Sequence, residues 1–336
     1  MYNDRFGRAP AEKKARLVLN ILFLVIGIAL LTVGGETLIR GSLAAARRLG
    51  VSPLLSGLVI VGFGTSAPEL VVSVDAALSQ RPDIAVGNVV GSNIGNILLI
   101  LGVCAVIAPL AVRPLALQRD AVTVIAASVL FVVLVGGSAL ARFDAVILLV
   151  ALAAYLVWAY TTERSSAAPS AEMHAAEGNE VSPVPRSVPW TIGAVVLGLA
   201  LLIGGSRVLL TGAVGIAEYF GLSEAVIGLT LVAVGTSLPE LSVSVLATLR
   251  RHADVAVGNI LGSNIFNVLG ILGLSAILQP LPVAGRILQF DQWVMLATAV
   301  VLLGLLYTGR RLSRPEGGLL LAAYGVYVAL SFTLFA

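Results

Sequence analysis

The sequence predicts an all-α polytopic membrane protein, with ten transmembrane helices arranged as two inverted five-helix repeats. Three observations lead there. Of the 336 residues, 58% are hydrophobic and only 12% charged, against about 25% charged in a soluble domain, and the mean hydropathy is +1.00. Apolar runs of roughly 20 residues recur, each long enough to cross a hydrocarbon core of about 30 Å. Finally, the stretch 57–102 returns without a gap as 228–273, at an offset of about 171, with about 28 of about 46 positions identical, the mark of an internal repeat.

The chain opens on a polar tail, residues 1–15, carrying Arg5, Arg8, Lys13 and Lys14. Helix 1 is expected over 16–45, helix 2 over 53–79, helix 3 over 83–107, helix 4 over 119–138 and helix 5 over 143–161. The apolar run from Leu17 is too long for a signal-peptide core of about 7–15 residues and is kept as a mature helix. Residues 162–188 are rich in Ser, Ala, Glu and Pro with no apolar period, which predicts a flexible linker holding a solvated His174. Helices 6 to 10 follow over 189–217, 223–249, 254–278, 290–308 and 317–335. This divides the chain into a first repeat (1–161), a linker (162–188) and a second repeat (189–336). Gly34, Gly41 and Gly50 match Gly205, Gly212 and Gly221 at the same offset. Helices 9 and 10 match 4 and 5 in layout only.

Five is odd, so a unit and its copy enter the membrane from opposite sides and are related by a pseudo-two-fold axis in the membrane plane. With the amino terminus outside, the inner connections hold Arg40, Arg47, Arg48, Arg113, Arg119, Arg164, Arg186, Arg250, Arg251, Arg310, Arg311 and Arg314. The outer ones hold Arg81, Arg142 and Arg286. The positive-inside rule therefore puts the 162–188 linker in the cytoplasm, with the basic amino-terminal tail as the dissenting feature. Those basic clusters are explained by topology, so the net charge of +3 is no argument for nucleic acid. The single cysteine, Cys104, excludes an internal disulfide framework and reads as a packing residue. No nucleophile, metal cluster or cofactor motif suggests an enzyme, and no obligate protein partner is implied.

Each copy places one glutamate, Glu69 or Glu240, inside an apolar run: GTSAPEL and GTSLPEL. Pro68 and Pro239 deprive the carbonyl four residues back of its helical partner, and Gly64 and Gly235 loosen the backbone, so both helices should break near mid-membrane. Thr65, Ser66, Thr236 and Ser237 add hydroxyls. Carboxylate, hydroxyl and carbonyl oxygens together suit a hard cation such as Na⁺ or Ca²⁺. In GNVVGSNIGN, Ser92 and Asn96 share a helix face, as do Ser263 and Asn267 in the copy. Asn88 and Asn93 cannot both lie on that face. Gly87 and Gly91, like Gly258 and Gly262, make a seam for a close helix approach. Asp83 and Asp254 read as amino-terminal caps. A buried glutamate can also serve structure, protonated or paired with arginine, but no basic residue lies near its depth in helices 2, 3, 7 or 8, and mid-membrane carboxylates mark ion paths. Glu36 and Arg207, at matched positions on opposite sides, should each reach their own interface. Asp75, opposite Leu246 in the copy and near the outer end of helix 2, reads as a boundary charge, the alternative being a place lining the entrance.

These doubled motifs resemble the alpha repeats of the calcium/cation antiporter superfamily, in its sodium/calcium exchanger branch and prokaryotic members. The resemblance covers both halves. It implies ion ligands between helices 2, 3, 7 and 8: Thr65, Ser66, Glu69, Ser92 and Asn96, their counterparts Thr236, Ser237, Glu240, Ser263 and Asn267, and the carbonyls of Gly62 and Ala233. It further implies that helices 1 and 6 slide across the core to alternate access. Asn267 stands where potassium-dependent members carry Asp, which argues against K⁺ co-transport. The linker is too short for the calcium-sensing domains of animal members. The expected function is Ca²⁺/Na⁺ antiport across the cell membrane without a cofactor, the alternative being exchange of Ca²⁺ or another divalent cation for H⁺. A channel would show uncoupled flux, and a scaffold would have no use for carboxylates in both copies.

Overall fold

The computed structural model describes residues 10–48, 62–111, 117–165, 187–251, 253–309 and 311–334. It is helical almost throughout. The first half of the chain holds α1 (Pro10–Arg48), a broken second helix of α2a (Gly62–Gly64) and α2b (Ala67–Leu78), then α3 (Pro82–Ile107), α4 (Val122–Leu134) and α5 (Arg142–Ser165). The second holds α6 (Val188–Phe220), the broken pair α7a (Glu224–Thr236) and α7b (Leu238–Leu249), then α8 (253–278), α9 (Gln292–Gly309) and α10 (Arg314–Leu334). Among the described residues, eight helices are long and apolar enough to cross a membrane, or nine if α7a and α7b count as one span. Residues 53–61 of the second expected helix lie outside the described residues. Helix α5 continues through Ser165, beyond the expected helix end.

The longest of the described helices, α1, has 39 residues, about 58 Å at 1.5 Å per residue. It packs along α6 through matched glycines. A Cβ on Gly27 would lie 2.5 Å from the Leu209 nitrogen, one on Gly34 2.9 Å from that of Leu202, and one on Gly41 2.9 Å from that of Val195. As the α1 position rises the α6 partner falls, so the two run antiparallel. Gly198, Gly205 and Gly212 answer from α6, each with α1 atoms closer than 3.0 Å to the site of a Cβ. Backbones this close leave no room for any side chain at the seam, which accounts for the glycines the two copies share.

Helices α3 and α8 form the centre: 78% of each apolar window is buried, against 17–39% for the six other unbroken spans. Both contain a matched π turn, Asn96–Leu101 and Phe266–Ile271, an irregularity that clusters at functional sites. The fifth helix of each half packs on the third helix of the other. Gly273 of α8 meets Leu149 and Ala145 of α5, and Gly102 of α3 meets Leu321 and Gly317 of α10. Arg142 donates to the Ile277 carbonyl and Arg314 to that of Ile107. Short antiparallel strand pairs cross-link the same halves: β1 (Leu110–Ala111) with β4 (Arg311–Leu312), and β2 (Ala139–Leu140) with β3 (Leu281–Pro282).

Two connection arginines are not interface charges. Arg119 lies buried against Asp120, which also accepts from Tyr155 at 3.1 Å. Arg286 pairs with the fully buried Asp291 at 2.9 Å, which also accepts from Tyr327 at 2.9 Å. Asp83 is not a cap either: α3 begins at Pro82, its capping position is Arg81, and Asp83 sits within the first turn. The side chain of Asp254 lies outside the described residues. Glu36 pairs with Arg40 on the exposed face of α1.

Candidate functional site

The two prolines build the site. Pro68 and Pro239 fall in the first turns of α2b and α7b, where a missing N–H is tolerated, while the preceding helices cannot run through them. The chain breaks at Thr65–Ser66 and at Ser237, and α7a meets α7b at 46°. Glu69 and Glu240 occupy the same first turns. Both glutamates are fully buried.

Each carboxylate is held from the opposite repeat. Ser237 donates to Glu69 Oε1 at 2.8 Å, and Ser66 donates to Glu240 Oε1 at 2.8 Å. Ser263 reaches the same Glu240 oxygen at 3.5 Å. Ser92 lies 3.2 Å from Ser237 Oγ and donates to the Ala233 carbonyl at 3.4 Å, and Ser263 lies 3.4 Å from Thr65 Oγ1. Eight of the ten expected side chains thus fall in two hydrogen-bonded groups that each link the two halves: Glu69, Ser92, Thr236 and Ser237 with the Ala233 carbonyl, and Thr65, Ser66, Glu240 and Ser263, while Asn96 and Asn267 bond to Asn264 and Asn93. Gly62 opens α2a at the edge of the described residues.

Four buried oxygens of the expected ligand residues have no hydrogen-bond partner: Glu69 Oε2, Glu240 Oε2, Asn96 Oδ1 and Asn267 Oδ1. They form two pairs related by the repeat offset. An unsatisfied buried acceptor is costly, and a carboxylate oxygen more so. Such oxygens are the ligands a hard cation prefers.

A further ring of polar residues orients these groups, beyond the ligands expected from the sequence. Asn88 donates to Ser73 Oγ at 2.9 Å and to the Glu69 carbonyl at 3.3 Å, and accepts from Thr236 at 3.1 Å. Asn259 mirrors it on Ser244, the Glu240 carbonyl and Thr65. Asn93 and Asn264 join α3 to α8. A signal for them exists: each of these residues is identical in both copies.

The site also departs from symmetry. Phe63 stacks on Phe266 with ring centroids 4.4 Å apart, beside the Thr65–Ser66 break. Their counterparts are Val234 and Gly95, which line a small apolar cleft reaching Ser237 between α3 and α7. Asp75 accepts from Ser206 of α6 at 2.7 Å. It lines an open cavity of about 1340 Å³ together with Lys13, Arg16, Asn20, Arg81 and Arg207. The expected boundary charge therefore faces a cavity between helices.

A family model described as sodium/calcium exchanger protein matches residues 19–161 and 190–333. The chain is 39% identical over 319 residues to the putative antiporter CaxA of Alkalimonas amylolytica, covering 93% of this chain and 98% of that one. It is 32% identical over 354 residues to the sodium/calcium exchanger MaX1 of Methanosarcina acetivorans, covering 94% and 99%. Among solved structures, it resembles the sodium-calcium exchanger NCX_Mj soaked with Na⁺ and Sr²⁺, with a TM-score of 0.63, 31% identity, and coverage of 93% and 98%.

Proposed function

The chain belongs to the sodium/calcium exchanger protein family, and we propose from that premise that it exchanges Ca²⁺ for Na⁺ across the cell membrane by alternating access. The observation that carries the reading is the set of four unpartnered buried oxygens on Glu69, Glu240, Asn96 and Asn267. Thr65, Ser66, Ser92, Thr236, Ser237, Ser263 and the carbonyls of Gly62 and Ala233 complete the ligand set. The transported ions are the only small molecules the site needs.

Ten helices in two inverted repeats, 1–161 and 189–336, with 162–188 as a cytoplasmic linker and the amino terminus outside, are part of the same proposal. The antiparallel course of α1 and α6 supports it. The strand pairs do too: inverted halves bring the α3–α4 and α9–α10 connections to one face and the α4–α5 and α8–α9 connections to the other, which are the connections that β1–β4 and β2–β3 join. The glycine seam makes α1 and α6 one rigid body, suited to moving as a unit past the broken helices.

Two carboxylates give the site a charge of −2, which one Ca²⁺ or two Na⁺ neutralises. A net charge left in a low-dielectric site costs several kcal/mol, so these loadings are preferred. The neutral amide and hydroxyl oxygens leave room for a third Na⁺ held by dipoles alone.

The test is ⁴⁵Ca²⁺ uptake by proteoliposomes under an opposing Na⁺ gradient. Uptake that requires the Na⁺ gradient supports the proposal. Uptake driven by a pH gradient and indifferent to Na⁺ replaces Na⁺ with H⁺ as the coupling ion, and uptake that needs neither gradient makes the protein a channel.

A further inference from the structure

Asn96 and Asn267 each offer a cation one amide oxygen, but an amide can turn and present its NH₂ instead. What prevents the turn is a closed set of bonds across α3 and α8. Asn93 Nδ2 donates to the Asn264 main-chain carbonyl at 3.2 Å, and Asn264 Nδ2 donates to that of Asn93 at 3.2 Å. With both NH₂ groups anchored, the two side-chain oxygens point the other way. Asn93 Oδ1 accepts from Asn267 Nδ2 at 3.0 Å, and Asn264 Oδ1 accepts from Asn96 Nδ2 at 2.9 Å. One N–H of each of Asn96 and Asn267 is thereby committed, which fixes which way the amide lies, and their oxygens are the ones left without partners. Asn93 and Asn264 are themselves buried.

We propose that Asn93 and Asn264 are positioning residues for cation binding: Asn93 fixes Asn267, and Asn264 fixes Asn96, with the amide oxygen turned toward the ion. This rests on the site reading above and adds a pair of residues that touch no ion. Removing Asn93 leaves the Asn267 amide free to place its NH₂, a hydrogen-bond donor, where the cation sits.

The experiment compares four purified proteins: the parent, Asn93→Leu, Asn267→Asp, and the double variant. Ca²⁺ affinity is measured by equilibrium ⁴⁵Ca²⁺ binding and folding by thermal melting. A carboxylate shows oxygen whichever way it turns, so Asn267→Asp makes orientation irrelevant. Asn93→Leu should weaken Ca²⁺ binding about 10- to 100-fold in the parent, the range for orienting partners of a metal ligand. In the Asn267→Asp background the same change should cost less than about threefold, a non-additivity that reports the coupling of the pair. An equal loss in both backgrounds, or no loss in the parent, overturns the proposal, since a merely structural role would carry over unchanged. Where Asn93→Leu does not fold, the mirror pair Asn264→Leu with Asn96→Asp runs the same comparison, and the same two results overturn the proposal. A folded parent that binds no Ca²⁺ sinks the site reading, and the positioning role with it.

Discussion

Replacing Glu240 with glutamine removes one formal charge from the site and almost no volume. Glu240 is fully buried. Its Oε1 accepts from Ser66 at 2.8 Å, while Oε2 has no partner. Glutamine has two ways to lie. If its carbonyl keeps Ser66, an NH₂ group replaces the unpartnered oxygen and points a donor at the cation. If it turns over, the Ser66 hydroxyl rotates to accept, and the cation keeps an oxygen but loses the charge. Either way a Ca²⁺ ion faces a site of −1 and leaves a net positive charge in a dry interior. Removing one partner of a buried ion pair costs about 3–5 kcal/mol, and at 1.4 kcal/mol per decade that is roughly a 100- to 4000-fold loss of Ca²⁺ affinity. The fold should survive, since the unliganded site is relieved of one buried charge. The measurement is equilibrium ⁴⁵Ca²⁺ binding and Na⁺-driven flux, with thermal melting as the control. Glu69→Gln should behave alike, because Ser237 holds its Oε1 at the same 2.8 Å. Affinity within about threefold of the parent in a well-folded variant would refute the reasoning, since an effect so small is far below one buried charge.

Three further outcomes are expected. Asp291→Asn leaves the Arg286 guanidinium, a side chain only 7% exposed, without its carboxylate and should destabilise the protein by about 3–5 kcal/mol; a melting temperature equal to that of the parent would contradict this. An impermeant maleimide added to intact cells should label Asn3→Cys and spare Ser182→Cys, whereas labelling of both from one side would rule out five helices per half. Exchange of three Na⁺ for one Ca²⁺ moves one net charge per cycle, so a clamped potential of about 100 mV should bias it by about 2.3 kcal/mol; Na⁺-driven Ca²⁺ flux indifferent to valinomycin-set potentials would leave two Na⁺ per Ca²⁺.

The class of fold is readable because bilayer thickness writes itself into the length of apolar runs. The breaks in the second and seventh helices are readable because proline removes a donor at a known position. Other features leave no such trace. The apolar run over 16–45 already announces a long first helix, but its seam with α6 is a property of two segments far apart in sequence. The buried Arg119–Asp120–Tyr155 and Arg286–Asp291–Tyr327 groups stay hidden for a different reason. The aspartates match at the repeat offset, but Tyr155 maps to Val326, one residue short of Tyr327. Each arginine also comes from a position that is not arginine in the other half, so only the aspartate of each group shows up as an identical position. Counting arginines in connections then assigns both to an interface, although each is held inside by a carboxylate.

At the site, the residues recognisable from sequence are those whose chemistry is unusual for mid-membrane helices: the glutamates, and the hydroxyls and amides stacked four apart beside them. Asn93 and Asn264 fall outside that pattern because each lies one residue past Ser92 or Ser263, about 100° around the helix at 3.6 residues per turn. That rotation turns them from α2 and α7 toward the place where α3 meets α8. Ser73 and Ser244 look like ordinary helix serines until Asn88 and Asn259 are seen to bond them. All six are nevertheless identical across the copies, and there is a physical reason to weigh that. Where a ligand set is duplicated about a pseudo-two-fold axis, each ligand needs its orienting partner in both halves, so polar identity at buried positions extends one layer beyond the ion. The Phe63–Phe266 stack shows the converse. Its counterparts are Val234 and Gly95, so the stack beside the Thr65–Ser66 break has no aromatic equivalent beside Ser237. The polar residues are thus alike in both halves while the apolar packing beside them is not, because an apolar contact has no donor or acceptor to be matched in the other copy.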